Sequence, residues 1–332
     1  MVGRHVLYLS MAMMFGILSL FQSSPYMVWA MFELNLFMIL PFLLNRSEFC
    51  HPTKGAVIYF GCQSIASVYM IGGMILQDLG WSGGVFVLLL GFFCKLGVFP
   101  FYSWVPRTMV SLSWLSCLVL LTFQKVFPIF CVPEVWVSSM VEFWFMVVLG
   151  ISGVLAGGMM FFQTHLKAGL GYSSVLNMSW VLSLKMVGGS ESLVATFLFF
   201  YIPVVLSVIV LFMVARVYTL ADVALFQWGR YRWVTYLAVL SLGGVPGLMG
   251  FLPKLIVVSE MISHCWLLMV ALLASSAFSI LWYTAPVVMA GVSLPAYSEG
   301  SNKSVWAVSY LSLFFNLLGL LVLVVWCLTS VF

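Results

Sequence analysis

Apolar residues run along this chain in continuous blocks, separated by short clusters of charge, proline and glycine. A helix crosses a bilayer with about 20 mainly apolar residues. Eleven blocks meet that length, at roughly 5–21, 26–44, 56–77, 82–104, 111–130, 136–158, 167–185, 192–215, 233–262, 265–290 and 305–330. A transmembrane β-barrel would alternate apolar and polar residues instead. The pattern predicts an all-α polytopic membrane protein, in which each helix satisfies its own backbone hydrogen bonds. The first block is read as a span and not a signal peptide, because a second span follows at once with no small-residue cleavage site between them.

Composition narrows the alternatives. Of 332 residues, 64% are hydrophobic and 7% charged, against about 25% charged in an average soluble domain. Too few charges remain to cover a water-soluble globule. A disordered chain is poor in aromatics, whereas this one is 17% Phe, Trp and Tyr. The seven cysteines form no Cys-x-x-Cys pair and fall mostly in apolar runs, so no disulfide framework or metal site is expected.

The placement of charge tests the span count. With the N-terminal side called inside, the inside segments carry Arg4, Arg46, Lys54, Arg107, Lys167, Arg216, Arg230, Arg232 and Lys303. The outside segments carry only Lys185. That asymmetry follows the positive-inside rule and puts the C-terminus outside after eleven crossings. The inside segment at about 216–232 mixes charges with apolar residues, and reads equally as a surface helix or a plain connection.

Four ionisable residues sit within apolar spans: Glu33, Lys95, Lys125 and Lys254. A charge at the bilayer centre costs about 2.5–3.5 kcal/mol on insertion scales, and such residues commonly line an ion or proton path. Low dielectric disfavours the ammonium form of a buried lysine, and a nearby carboxylate favours it. A lysine with a movable carboxylate partner is therefore a proton switch. Snorkelling to the interface or capping a helix end is the plainer alternative for any one of them.

Two lysine-bearing spans are irregular in matching ways. Gly91 and Pro100 flank Lys95, and Gly250 and Pro253 flank Lys254. The Gly-Gly-x-Pro-Gly stretch at 243–247 is expected to break its helix. Broken helices near mid-membrane line polar cavities and mark the working sites of transporters built from inverted repeats. Spans 4 and 9 lie five apart, the offset of an inverted five-helix repeat. Two packing kinks are the bland alternative. Gly150, Gly153, Gly157 and Gly158 read as a close-packing face. No pairing of histidines would hold a haem, and no nicotinamide, flavin or iron–sulfur site is visible.

Four ordered segments carry a resemblance that covers nearly the whole chain. FELN at 32–35 looks like a Glu-bearing second span. The most specific stretch, KLGVFPFYSWVPRTMVSLSWLSCLVLLTFQKVFP at 95–128, is similar to KxGxxPFHFWxPxVxxGLSWxxxxxLxTWQKxxP. LGYSSVLNMSW at 170–180 resembles AYSSIxHMGW, and LSLGGVPGLMGFLPK at 240–254 resembles LSLGGLPPFTGFxPK. On these segments the chain resembles the subunit 2 family of mitochondrial NADH–ubiquinone oxidoreductase, respiratory complex I, within the antiporter-like subunits.

The resemblance implies a single antiporter-like transmembrane domain over 1–332, with repeat one at about 5–130, repeat two at about 136–290 and a C-terminal helix at about 305–330. Animal members lack the first three of fourteen helices, which leaves eleven. It implies a proton path through Glu33, Lys95, Lys125 and Lys254, the four residues already singled out. No cofactor is expected in this chain; NADH, FMN, iron–sulfur clusters and ubiquinone belong to partner subunits. The implied partners are the other membrane-arm subunits, antiporter-like ones included, together with membrane lipid, and no nucleic acid. The implied location is the mitochondrial inner membrane, N-terminus in the matrix and C-terminus in the intermembrane space. Asn177 and Tyr102 depart from the family, which often has His at both places. A free-standing cation/proton antiporter and a purely structural membrane subunit remain as alternative readings.

Overall fold

The computed structural model describes residues 2–44, 51–81, 83–132, 139–225, 232–262, 264–292, 310, 313, 314 and 316. The helices are α1 (Val2–Leu20), α2 (Pro25–Leu43), α3 (Pro52–Asp78), α4 (Gly84–Leu96), α5 (Trp104–Ser111), α6 (Trp114–Leu121), α7 (Phe123–Cys131), α8 (Ser139–Phe161), α9 (Leu166–Met186), α10 (Glu191–Ala215), α11 (Leu220–Leu225), α12 (Arg232–Gly243), α13 (Leu252–Met261) and α14 (Trp266–Val292). Six elements are long and apolar enough to cross a bilayer: α2, α3, α6 with α7, α8, α10 and α14. Shorter apolar helices occupy Arg4–Leu20, Gly84–Leu96 and Trp233–Gly243. The expected last span at 305–330 lies almost wholly outside the described residues. Of the segment at 216–232, read equally as a surface helix or a plain connection, residues 216–225 and 232 are described, with the six-residue α11 at Leu220–Leu225.

α1 packs on α2, α3 on α4, and α8 on both α9 and α14. At the centre stands α9, buried along its whole face from Leu166 to Lys185. It is also one of the less apolar helices, with Ser173, Ser174, Asn177, Ser179 and Ser183. Its hydroxyls remain satisfied in an apolar setting by bonding back to their own helix: Ser173 to the Leu170 carbonyl, Ser179 to Val175 and Ser183 to Trp180.

The expected span at 82–104 is not one helix. α4 stops at Leu96, Gly97 adopts a left-handed φ of 74°, and the chain turns through 97–103 before α5 continues to Ser111. The Val98 amide closes the helix end on the Phe93 carbonyl at 2.9 Å. The Trp104 indole N–H, 3.1 Å from the Cys94 carbonyl, satisfies a second freed acceptor. Lys95 therefore sits at the carbonyl end of a half-helix. The break expected at 243–247 is present: α12 ends at Gly243, Gly244 has φ 79°, and a 3-10 turn at Met249–Phe251 leads into α13. The span expected at 111–130 also divides, at Thr122, whose backbone leaves the helical region. Nothing in the apolar pattern marks that division.

A second correction concerns two lysines assigned to loops. Lys167 and Lys185 lie at the two ends of α9 and are buried, with 5% and 3% of their surface exposed. Pattern reading failed there because a lysine at a span end looks like the start of a loop. Here the backbone carbonyls of neighbouring helix ends receive each ammonium.

The second break depends on close backbone approach. A Cβ on Gly250 would collide with the Ser241 carbonyl at the end of α12. Gly250→Ala is expected to lower the melting temperature of the purified protein by several degrees, since a forced backbone shift costs about 1–3 kcal/mol. Gly158→Ala, whose Cβ would meet open space, should leave it within error. Equal melting temperatures for the two variants would contradict the close packing.

Candidate functional site

α2, α3 and α4 bring the first two candidate residues together. The Lys95 ammonium lies 3.8 Å from the Glu33 carboxylate. Ser67 on α3 joins them, accepting from Lys95 at 3.3 Å and donating to Glu33. The Phe32 ring lies 5.2 Å beneath the ammonium, in range for cation–π attraction. The Lys95 side chain is 4% exposed and that of Glu33 is 21% exposed. The cation is thus enclosed, while the carboxylate is partly exposed.

A second feature connects Lys95 to Lys125. A cavity of about 30 Å³ is lined by both lysines, with Asn35, Tyr59, Gln63 and Gln124 as its polar wall. A water needs roughly 10–15 Å³ by this measure, together with two to four polar partners. The wall is itself ordered. Gln124 donates to Asn35 at 3.0 Å, Tyr59 donates to Gln124 at 3.5 Å, and Gln63 donates to the Lys95 carbonyl at 3.2 Å. The cavity thus has room for water and groups to hold it between two amines.

Lys125, on α7, donates to Ser174 of α9 at 3.0 Å. Lys254, on α13, donates to the Gly243 carbonyl at 2.6 Å, across the break. Helix carbonyl ends carry partial negative charge, so this site suits a cation. Neither lysine has a carboxylate partner among the described residues. Each can hold or give up a proton without leaving an unpaired carboxylate behind.

Lys254 does not line the Lys95–Lys125 cavity. Tyr283 of α14 is 1% exposed. Its hydroxyl has no hydrogen-bond partner among the described residues. Its ring edge packs against Gly243, the residue that receives Lys254. Asn177, at one departure from the resembled pattern, is buried on α9. Tyr102, at the other, rests against Phe99 and Tyr172.

Sequence reading found the four charged residues and missed the neutral ones. Ser67, Gln124 and Asn35 carry no charge to betray them in a span. Tyr283 is one aromatic among many. Lys167 and Lys185 were visible as charges, but their burial was not. Among the described residues, no group of three His, Cys, Asp or Glu side chains could hold a metal ion.

A family model described as "NADH:quinone oxidoreductase/Mrp antiporter, TM" matches residues 2–279. The NADH-ubiquinone oxidoreductase chain 2 of Peropteryx kappleri is 29% identical over 296 residues, 84% of this chain and 83% of that protein. The chain 2 of Myxine glutinosa is 27% identical over 318 residues, 91% of this chain and 90% of that protein. Among solved structures, a chain of respiratory complex I from Thermus thermophilus superposes with a TM-score of 0.83 at 18% identity. That superposition covers 96% of this chain and 78% of the other. A chain of the Mrp complex from Dietzia sp. superposes with a TM-score of 0.69 at 12% identity, over 90% and 72%. With 278 of 332 residues inside the family model, the chain belongs to the NADH:quinone oxidoreductase/Mrp antiporter transmembrane family.

Proposed function

We propose that this chain carries protons across a membrane through Glu33, Lys95, Lys125 and Lys254, driven by redox chemistry in other subunits. The chain is an antiporter-like membrane subunit of proton-translocating NADH:ubiquinone oxidoreductase. Similarity to chain 2 proteins over most of both lengths supports this over a free-standing antiporter. The single observation that carries the path is the polar cavity shared by Lys95 and Lys125, with the Glu33 contact at one end.

With Glu33 close, the Lys95 ammonium is matched by opposite charge and keeps its proton. When the carboxylate swings away, that match is lost and the low dielectric disfavours the charge. The proton then passes through the cavity to Lys125. A change of one pKa unit equals about 1.4 kcal/mol, so a small displacement of Glu33 suffices. The onward step runs from Lys125, held by Ser174, to Lys254, held by the Gly243 carbonyl. The displacement is driven from partner subunits, which hold NADH, FMN, the iron–sulfur clusters and ubiquinone.

The finer architecture belongs to the same proposal. The chain forms one domain of eleven spans with two inverted five-helix repeats, each containing one broken helix, α4 with α5 and α12 with α13. The matching breaks five spans apart support this. The membrane is the mitochondrial inner membrane, and the neighbours are other membrane-arm subunits and lipid. The N-terminus faces the matrix, a placement supported by the one-sided loop charges that remain after Lys167 and Lys185 are assigned to the interior.

Lys95→Met in an assembled complex should lower proton pumping, and the NADH oxidation coupled to it, by about a hundredfold. Lys95→Arg should fail similarly, because arginine does not release its proton. Both are read as proton uptake and NADH oxidation in reconstituted vesicles, and wild-type rates with Lys95→Met would leave only a structural role. Orientation is tested separately, with cysteines introduced at Lys54 and Gly80, the two ends of α3. A membrane-impermeant maleimide added from the intermembrane-space side should label position 80 and spare position 54. The reverse pattern would invert the topology.

A further inference from the structure

Two buried lysines lie outside the path just described. Lys185, at the end of α9, donates to the carbonyls of Ile129, Phe130 and Val132 at 3.0, 2.9 and 2.9 Å. Those carbonyls close the last turn of α7, the nine-residue half-helix that carries Lys125. A helix this short is marginal alone, and its final carbonyls have no partner within the helix. In an apolar interior such carbonyls need donors, and of these three, among the described residues, only that of Ile129 also meets a backbone N–H, that of Val132 at 3.4 Å. The three N–H groups of one ammonium match three acceptors, at the end of a helix dipole that favours positive charge.

Lys167, at the start of α9, makes the corresponding contact with α5. Its ammonium donates to the Leu112 carbonyl, the cap of α5. The rings of Trp114 and Tyr218 flank it at 5.2 and 5.3 Å. The Leu166 amide in turn holds the Tyr218 carbonyl at 2.9 Å. The two lysines are separated by about 27 Å of helix at 1.5 Å per residue. Ser174, the acceptor of Lys125, lies between them on the same helix.

We propose that α9 is a brace, pinned by Lys167 to α5 and by Lys185 to α7, and that Lys185 is a positioning residue for Lys125. Lys185 fixes the half-helix that bears the lysine to the helix that bears its acceptor. The inference rests on the proposed role of Lys125 in the proton path. Lys185 acts through the placement of Lys125 and is no part of the relay.

The test compares Lys185→Met, Lys185→Arg and Lys125→Met in the assembled complex, at equal amounts in vesicles. Lys185→Met should cut proton pumping about tenfold, the scale of a misplaced reacting group. Lys185→Arg should restore it to within about twofold, because a guanidinium can donate to the same carbonyls and keeps its charge. Failure of Lys185→Arg equal to that of Lys185→Met would show that the proton passes through Lys185, and would overturn the brace. Wild-type pumping by Lys185→Met would overturn it too. If Lys185→Met does not assemble, Lys185→Gln replaces it and the same comparison with Lys185→Arg decides. Normal pumping by Lys125→Met would instead sink the proton path, whatever Lys185 does. A defective Lys125→Met beside a wild-type Lys185→Met would sink the brace alone.

Discussion

No water reaches the lipid-facing interior of a bilayer, so every backbone carbonyl freed by a helix break needs a donor from the protein. This chain breaks its helices repeatedly and supplies several of those donors with lysines. Lys254 caps α12 through Gly243, Lys185 caps α7, and Lys167 caps α5. Trp104 does the same for α4 with an indole N–H. The break makes a partly negative site, and that site makes a buried cation tolerable. Irregular backbone and buried charge therefore solve one problem together.

The same constraint sorts the five lysines that are buried among the described residues. Lys167 and Lys185 meet backbone carbonyls at the ends of α9, where they join one helix to another. Lys95 meets a carboxylate and a hydroxyl, and it shares a polar cavity with Lys125. Lys254 is intermediate: its partner is a carbonyl, but it stands at a break whose glycines bring backbone and side chain close together. A partner that can move gives a switch, and carbonyls at a fixed helix end give a pin.

Much of this was legible in the sequence because a charge within an apolar run is rare and expensive. Glu33, Lys95, Lys125 and Lys254 stood out on that ground, and so did the glycines and proline at 243–247. The division of α6 from α7 at Thr122 was not legible, since Thr is ordinary in an apolar helix. Lys167 and Lys185 were misplaced for a related reason. Hydropathy reports what a residue would prefer, not which carbonyls the fold will offer it. The cavity wall of Asn35, Tyr59, Gln63 and Gln124 comes from three helices, α2, α3 and α7, and their meeting is a property of packing that no window along the chain contains.

The central claim is that water held by this wall passes a proton between Lys95 and Lys125. Gln124 is the hub of the wall, bonded to both Asn35 and Tyr59. Gln124→Leu keeps its size and removes its polar end. The direct measurement is the ratio of protons pumped to NADH oxidised in vesicles carrying that variant in an assembled complex. The account predicts a clear fall in the ratio with assembly unchanged. An unaltered ratio would contradict it.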